Sequence, residues 1–141
     1  MGFVLDNSVT MRWLFGDGSP DERAYALQVL AAIDGAEVHV PAIWALEVSN
    51  VIARAEAKYG LSEARSSEFI HVLQNMGLRP DAQTGLNALG ATLQLARRFN
   101  LSSYDAAYLE LALRTGLPLA SLDADLLKAA RQAGVARFPS D

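Results

Sequence analysis

The stretch Ser102-Ser103-Tyr104-Asp105-Ala106-Ala107-Tyr108-Leu109-Glu110-Leu111-Ala112 opens a predicted helix that is apolar on almost every side. Such a helix packs inside a protein rather than on its surface. Its first turn nevertheless carries a carboxylate, Asp105, and burying a charge is costly unless a partner compensates it. Two interpretations are open: Asp105 completes a capping box with Ser102, or it holds a metal ion. The acids elsewhere in the chain distinguish between these two interpretations.

Short apolar strands alternate with longer helices on both sides of this stretch. This alternation is typical of βαβ units, in which a parallel sheet is covered by helices on both faces. We therefore predict a three-layer α/β/α fold with four or five short parallel strands, in a single domain over residues 1–141. Strands are predicted at residues 3–5, 38–40, 78–80, 117–122 and 135–138, and the helices include residues 21–34, 43–58, 84–99 and 102–114.

The composition excludes several classes of chemistry. The chain has no cysteine and only two histidines, which rules out disulfides, thiolate catalysis and histidine-rich metal sites. The net charge of −4 argues against a protein whose whole surface binds nucleic acid, although it allows a local basic rim around an acidic pocket. The sequence has neither a signal peptide nor a membrane-spanning stretch, so we expect a cytoplasmic protein.

Four acidic residues stand out by their positions. Asp6 and Asp123 directly follow predicted strands, where sites form in open parallel sheets. Asp105 begins a helix, and Glu47 interrupts an apolar helical run. Taken singly, each has a simpler explanation: Asp6 and Asp123 as helix caps, Asp105 as the partner of Ser102, and Glu47 as the partner of a base such as Arg54.

Taken together, the four acids favour a metal site. Oxygen ligands alone are what Mg²⁺ or Mn²⁺ prefers. Carboxylates crowded into one pocket would otherwise repel each other and raise each other's pKa. A site of this kind commonly activates water for attack on a phosphodiester, and it requires no nucleophilic side chain.

Four segments of the sequence resemble motifs of PIN-domain proteins, specifically of the VapC-type toxins of prokaryotic toxin–antitoxin pairs. They occur in family order and at family spacing, and the resemblance covers essentially the whole chain. The segment around Asp105 is the most specific. The segments are VLDNS at residues 4–8, VPAIWALEV at 40–48, LSSYDAAYLELA at 101–112 and GLPLASLD at 116–123.

The resemblance implies an endoribonuclease that depends on Mg²⁺ or Mn²⁺. Asp6 and Asp105 would be the principal metal ligands, and Glu47 and Asp123 would complete the cluster directly or through water. The expected reaction is in-line attack by a metal-activated water on RNA, leaving a 5′-phosphate. Ser8 is similar to a family hydroxyl near the site, with helix capping as its alternative, whereas Asp125 is not a fixed family position.

The resemblance also implies protein partners. A cognate antitoxin would place its C-terminal segment in a groove beside the site, and homodimerisation is usual in the family. Exposed parts of Trp13, Leu14 and Trp44 are candidates for the groove, with core packing as the alternative for each. The arginines that could contact phosphates, each with a solvated surface position as the alternative, are Arg12, Arg54, Arg97 and Arg98.

Three other interpretations remain open. A phosphoacceptor signalling domain would need paired acids after the first strand, where Asn7 follows Asp6, and a lysine after a late strand. The lysines Lys58 and Lys128 lie within predicted helices instead. A phosphomonoesterase with an aspartyl nucleophile would need a second aspartate at the position of Ser8. A binding module with the same fold and a catalytically inactive site is disfavoured because all four acids are retained.

Overall fold

A parallel β-sheet forms the centre of the computed structural model, which describes residues 1–140. Residue 141, the end of the predicted domain, lies outside the described residues. The four strands lie in the order β3-β2-β1-β4 and all pair in parallel, which confirms the predicted sheet. They are β1 (Gly2–Leu5), β2 (Glu37–Val40), β3 (Arg79–Pro80) and β4 (Leu119–Ala120).

Helices connect these strands and cover both faces of the sheet. Most begin and end within a few residues of the predicted limits. They are α1 (Asn7–Phe15), α2 (Pro20–Ala32), α3 (Trp44–Tyr59), α4 (Glu63–Gln74), α5 (Thr84–Asn87), α6 (Leu93–Phe99), α7 (Ser103–Thr115) and α8 (Ala124–Gln132).

The central strand β1 divides the core into two layers. Because side chains alternate along a strand, Phe3 and Leu5 face one side of the sheet and Val4 the other. Phe3 and Leu5 pack with residues of α1 and α2, whereas Val4 packs with α7 and α8. The observed layers therefore match the predicted α/β/α arrangement.

Helix α7 is as buried as its sequence predicts. Every residue from position 106 to 112 is buried, including Tyr108 and Glu110. The next apolar residue of the helix, Leu113, is exposed. Gly116 ends the helix in the left-handed conformation, with φ of 70°, which a residue without a side chain adopts at little cost.

Two predicted elements differ from the structure. The helix expected over residues 84–99 is not continuous, because a π-helical turn at Ala88–Thr92 separates α5 from α6. Gly90 lies within that turn at φ −113° and ψ −107°, a conformation outside the helical region that glycine permits. The strand expected at residues 135–138 is reduced to a single parallel bridge between Leu119 and Arg137.

Helices α3 and α4 pack together against α1. Val48, Ile52 and Leu73 join Met11 and Leu14 of α1 in a third apolar cluster. A cavity of about 520 Å³ lies against these two helices and is lined by residues including Trp44, Val48, Ile52 and Leu73. Over residues 1–140, every helix is too short or too polar to span a bilayer.

Candidate metal centre

Asp6 lies at the carboxyl end of β1 and is only 4% exposed. It precedes α1, yet its side chain makes no capping hydrogen bond to that helix, so the capping interpretation fails for this residue. Instead its Oδ2 accepts hydrogen bonds from Ser8 Oγ at 2.6 Å and Ser121 Oγ at 2.8 Å. Burial raises the pKa of Asp6, while these two hydroxyls partly offset the rise.

The two serines hold Asp6 against the end of the sheet. Ser8 Oγ accepts from Leu122 N at 2.9 Å, and Ser121 Oγ accepts from Asp123 N at 3.0 Å. Each hydroxyl thus accepts from the loop after β4 and donates to the same carboxylate oxygen. Sequence reasoning identified Ser8 but missed Ser121. The available signal was its position at the end of β4, two residues before Asp123.

Asp105 lies in the first turn of α7, where half of the predicted capping box forms. Ser102 Oγ accepts from Asp105 N at 3.1 Å, but no reciprocal bond completes the box, as one does between Ser19 and Glu22 at the start of α2. Burial first, and then the charges of Asp123 and Asp6, raise the pKa of Asp105 to about 6. The carboxylate therefore faces other acids rather than a compensating cation.

Glu47 lies in the first turn of α3 and its partner is not Arg54. Its Oε1 accepts a hydrogen bond from Tyr108 Oη at 2.6 Å. Burial is the main cause that raises the pKa of Glu47; the bond from Tyr108 lowers it, and the charges of Asp6 and Asp105 raise it further. Sequence reasoning did not identify Tyr108, because a tyrosine on an apolar helix looks like an ordinary core residue.

Asp123 does cap a helix, as its simpler interpretation predicts. Its Oδ1 accepts from Leu126 N at 2.9 Å at the start of α8. Its charge nevertheless contributes to the raised pKa values of both Asp6 and Asp105. Asp125 also contributes to the raised pKa of Asp105, so it lies at the margin of the same group.

The four predicted acids are therefore brought to one edge of the sheet. They are near enough for their charges to act on one another, but within residues 1–140 no three of them come together tightly enough to hold a metal ion as they stand. The all-oxygen donor set and the raised pKa values of Asp6, Glu47 and Asp105 fit a hard divalent ion such as Mg²⁺ or Mn²⁺.

The other candidate residues divide between core and surface. Leu14 is buried at 3% exposure, so it offers no groove surface, whereas Trp44 lines the 520 Å³ cavity. Trp13 is partly buried and donates from Nε1 to Ala26 O at 2.7 Å. Arg12 is paired with Asp17 and Glu22 and is not available for phosphate.

Comparison with known proteins identifies the family. The family model for the PIN domain matches residues 3–132 of the chain. Among curated proteins, none matches the sequence.

Solved structures share the fold at low sequence identity. PAE2754 from Pyrobaculum aerophilum superposes with a TM-score of 0.65 at 21% identity, covering 92% of this chain and 79% of that one. VapBC2 from Rickettsia felis, bound to a DNA fragment from its promoter, gives 0.64 at 14% identity, with 97% of each chain covered. FitAcB from Neisseria gonorrhoeae gives 0.63 at 17% identity, covering 98% of this chain and 96% of that one. From its sequence motifs, its fold and this family match, the chain belongs to the PIN domain family.

Proposed function

We propose that this protein is a metal-dependent endoribonuclease of the VapC toxin type. The observation that carries the proposal is the group of acids at the carboxyl edge, in which burial and then the charges of Asp123 and Asp6 raise the pKa of Asp105 to about 6. Acids arranged only to cap helices would not need to face each other. PIN nucleases generally use divalent metals, and the family match supports this choice over a phosphoacceptor or phosphatase.

In this proposal Asp6 and Asp105 hold the ion, with Glu47 and Asp123 completing the pocket directly or through water. A bound Mg²⁺ or Mn²⁺ supplies an activated water and stabilises the charge that develops on the scissile phosphate. The protein contributes orientation. Ser8 and Ser121 fix Asp6 Oδ2, so that the other oxygen, Oδ1, is the one these hydroxyls leave for a ligand.

The experiment that tests this function compares RNA cleavage by the wild type with that by Asp6→Asn and Asp105→Asn. Each substitution removes a charge with little change in shape, and we expect cleavage to fall at least about 100-fold, since even outer partners of metal ligands contribute up to that much. Wild-type cleavage should require Mg²⁺ or Mn²⁺ and stop with EDTA.

Asp34→Asn is the matched control, because Asp34 is an exposed acid beyond the end of α2. It should cleave like the wild type. The proposal is wrong if the wild type cuts a broad set of RNAs no faster than the two site variants, or cuts equally well in EDTA.

The proposed partner is a protein antitoxin that inserts an apolar segment along α3 and α4. The 520 Å³ cavity beside these helices is lined mainly by apolar side chains, and Trp44 connects it to the turn that carries Glu47. Similarity to VapBC2 and FitAcB supports a partner of this kind. A charged substitution at the exposed cavity wall, Ala53→Glu, should abolish inhibition of cleavage by a co-expressed antitoxin, whereas Ala57→Glu, exposed on the same helix but outside the cavity, should not.

Two further expectations accompany this function. A homodimer and a cytoplasmic location both stay predictions. Sedimentation equilibrium on the purified protein measures the first, and cell fractionation measures the second.

A further inference from the structure

We propose that Tyr108 is a positioning residue that fixes the Glu47 carboxylate at the metal centre. This inference rests on the proposed function, because Glu47 acquires a role only if the acids hold an ion. It concerns a residue that touches neither the ion nor the RNA and that acts through Glu47 alone.

The contact itself is direct and partly buried, since Tyr108 lies in the core and Glu47 is half-buried. Tyr108 is 0% exposed, and its Oη donates to Glu47 Oε1 at 2.6 Å. The two residues are 61 positions apart, so the bond joins α3 to α7. A glutamate has a long side chain that loses much rotamer freedom when it is held in one conformation. A phenol supplied by the rigid core therefore determines where this flexible carboxylate lies.

Helix α7 sets the geometry of two acids at once. Asp105 and Tyr108 are one turn apart on α7, at i and i+3, and residues with this spacing share a helix face. One face of α7 thus carries an acid of the cluster and the group that holds another. Because the bond engages Glu47 Oε1, it leaves Oε2 as the oxygen that can bind an ion or its water.

A second contact holds the same turn of α3 but does not touch a carboxylate. Trp44, three residues before Glu47 in the same first turn, donates from Nε1 to Thr10 Oγ1 of α1 at 3.1 Å. This bond places the helix, whereas the Tyr108 bond places the acid. The two contributions can therefore be separated experimentally.

The test is a double-mutant cycle on the whole protein with Tyr108→Phe, Glu47→Ala and both together. The main measurement is the Kd for Mn²⁺ by isothermal titration calorimetry, which does not depend on cleavage. In the wild-type background we expect Tyr108→Phe to weaken Mn²⁺ binding about tenfold, as loss of a partner behind a metal ligand does. In the Glu47→Ala background the same substitution should change the Kd by less than about twofold, since the acid it positions is gone.

Tyr25→Phe is the matched control. Its phenol is also partly buried but donates to the backbone carbonyl of Phe138 rather than to a carboxylate, so the Kd should stay near that of the wild type. In cleavage assays Tyr108→Phe should raise the Mn²⁺ concentration for half-maximal rate and leave KM for RNA unchanged. A merely structural role would not produce this split.

Either of two results overturns the inference. One is a wild-type Kd in Tyr108→Phe, and the other is an equal loss with and without Glu47. The proposed function is judged separately. If Mn²⁺ binds with the expected coupling but RNA is not cut, the nuclease proposal fails and the role of Tyr108 stands. If RNA is cut in a metal-dependent way but the coupling is absent, only the role of Tyr108 fails. A wild type that binds no Mn²⁺ overturns both.

Discussion

Helix α7 carries a partly or fully buried acid near each end, and the two acids have opposite surroundings. Glu110, near the C-terminal end, is paired with a cation, and we call this the paired end; Asp105, at the N-terminal end, lies near other acids, and we call this the unpaired end. At its last turns, Glu110 is paired with Arg114 at 2.8 Å, and Arg114 also pairs with Asp81 beyond β3. This cation helps to lower the pKa of Asp81 below its usual range, against the opposing effect of burial. At its first turn, Asp105 faces acids and its pKa is raised to about 6. Burial is common to both ends, so the difference lies in whether the protein provides its own cation.

This difference distinguishes acids that have a structural partner from the acids proposed to bind a metal ion. The C-terminal cluster is complete, and its arginine links α7 to the loop after β3. The N-terminal group has hydroxyl donors at Asp6 and a phenol at Glu47, and within residues 1–140 none of its acids forms a salt bridge. A group of acids arranged without a cation is less stable than its paired counterpart, and an external cation is what would relieve it. Perturbed pKa values of this kind concentrate at functional sites.

The largest expected effect comes from breaking the paired end. Arg114→Leu should lower the free energy of unfolding by about 2 to 3 kcal/mol, because it leaves Glu110 buried without a cation. This loss lies below the roughly 3 to 5 kcal/mol expected when a fully buried pair is broken, because the Arg114 side chain is 26% exposed. Urea denaturation at pH 7.5 measures the change. Arg54→Leu, at an exposed position on α3, is the control and should stay within about 0.5 kcal/mol of the wild type.

Removing the Ser121 hydroxyl, which supports Asp6, should lower the free energy of unfolding somewhat less than Arg114→Leu does. Ser121 is fully buried and bonds both Asp6 Oδ2 and Asp123 N. Ser121→Ala should therefore destabilise the protein by about 2 kcal/mol, within the range for a buried donor or acceptor that loses its partner. Urea denaturation again measures it, with the exposed Ser67→Ala as control. Equal stability of the two variants would show that the hydroxyl does not support Asp6.

Neutralising the unpaired end should stabilise the metal-free protein. Asp105→Asn removes a carboxylate whose pKa is raised from 3.8 to about 6, and it should increase the free energy of unfolding at pH 7.5 by about 1 kcal/mol. This figure is well below the full value of the shift because solvent screens a half-buried group. Asp81→Asn, at the paired end, should have the opposite sign. Destabilisation by both substitutions would remove the contrast between the two ends.

The smallest expected effect is in the pH dependence. A carboxyl whose pKa is raised on folding keeps its proton in the native state after the unfolded chain has lost it. The contribution of Asp105 to the stability of the metal-free protein should therefore decline by about 1 kcal/mol as the pH rises from about 4 to about 6, and then level off. The difference in free energy of unfolding between the wild type and Asp105→Asn, measured by urea denaturation with EDTA across this range, separates it from Asp6 and Glu47, whose pKa values are also raised. A difference that does not change with pH would assign the decline to another group.

The sequence predicts the positions of the acids better than it predicts the residues that hydrogen-bond to them. Asp6 and Asp123 could be placed at one sheet edge because the carboxyl ends of parallel strands meet there. Ser121 and Tyr108 could not be assigned, since their roles depend on which residues distant in the chain they meet. Leu14 follows the alternative given for it, core packing, because α3 and α4 cover that side of α1, and no local pattern indicates this.

The same reasoning applies to the interrupted helix. Leucines at suitable spacing favoured a continuous helix over residues 84–99, but Leu86 and Leu89 are exposed, the latter at 89%, whereas Leu95 packs against the core. Without burial, propensity alone did not hold the helix straight across Gly90. Periodicity predicts an element well only when packing supports it.

The hydrogen bond between Ser121 and Asp6 spans 115 positions of the chain. Asp6 directly follows the first strand and Ser121 the last one, and the two strands are neighbours in the sheet. A folding intermediate that lacks β4 would therefore have Asp6 without Ser121 and Asp123. In the proposed nuclease such a chain would lack part of its metal site, so cleavage activity would arise only with the complete sheet.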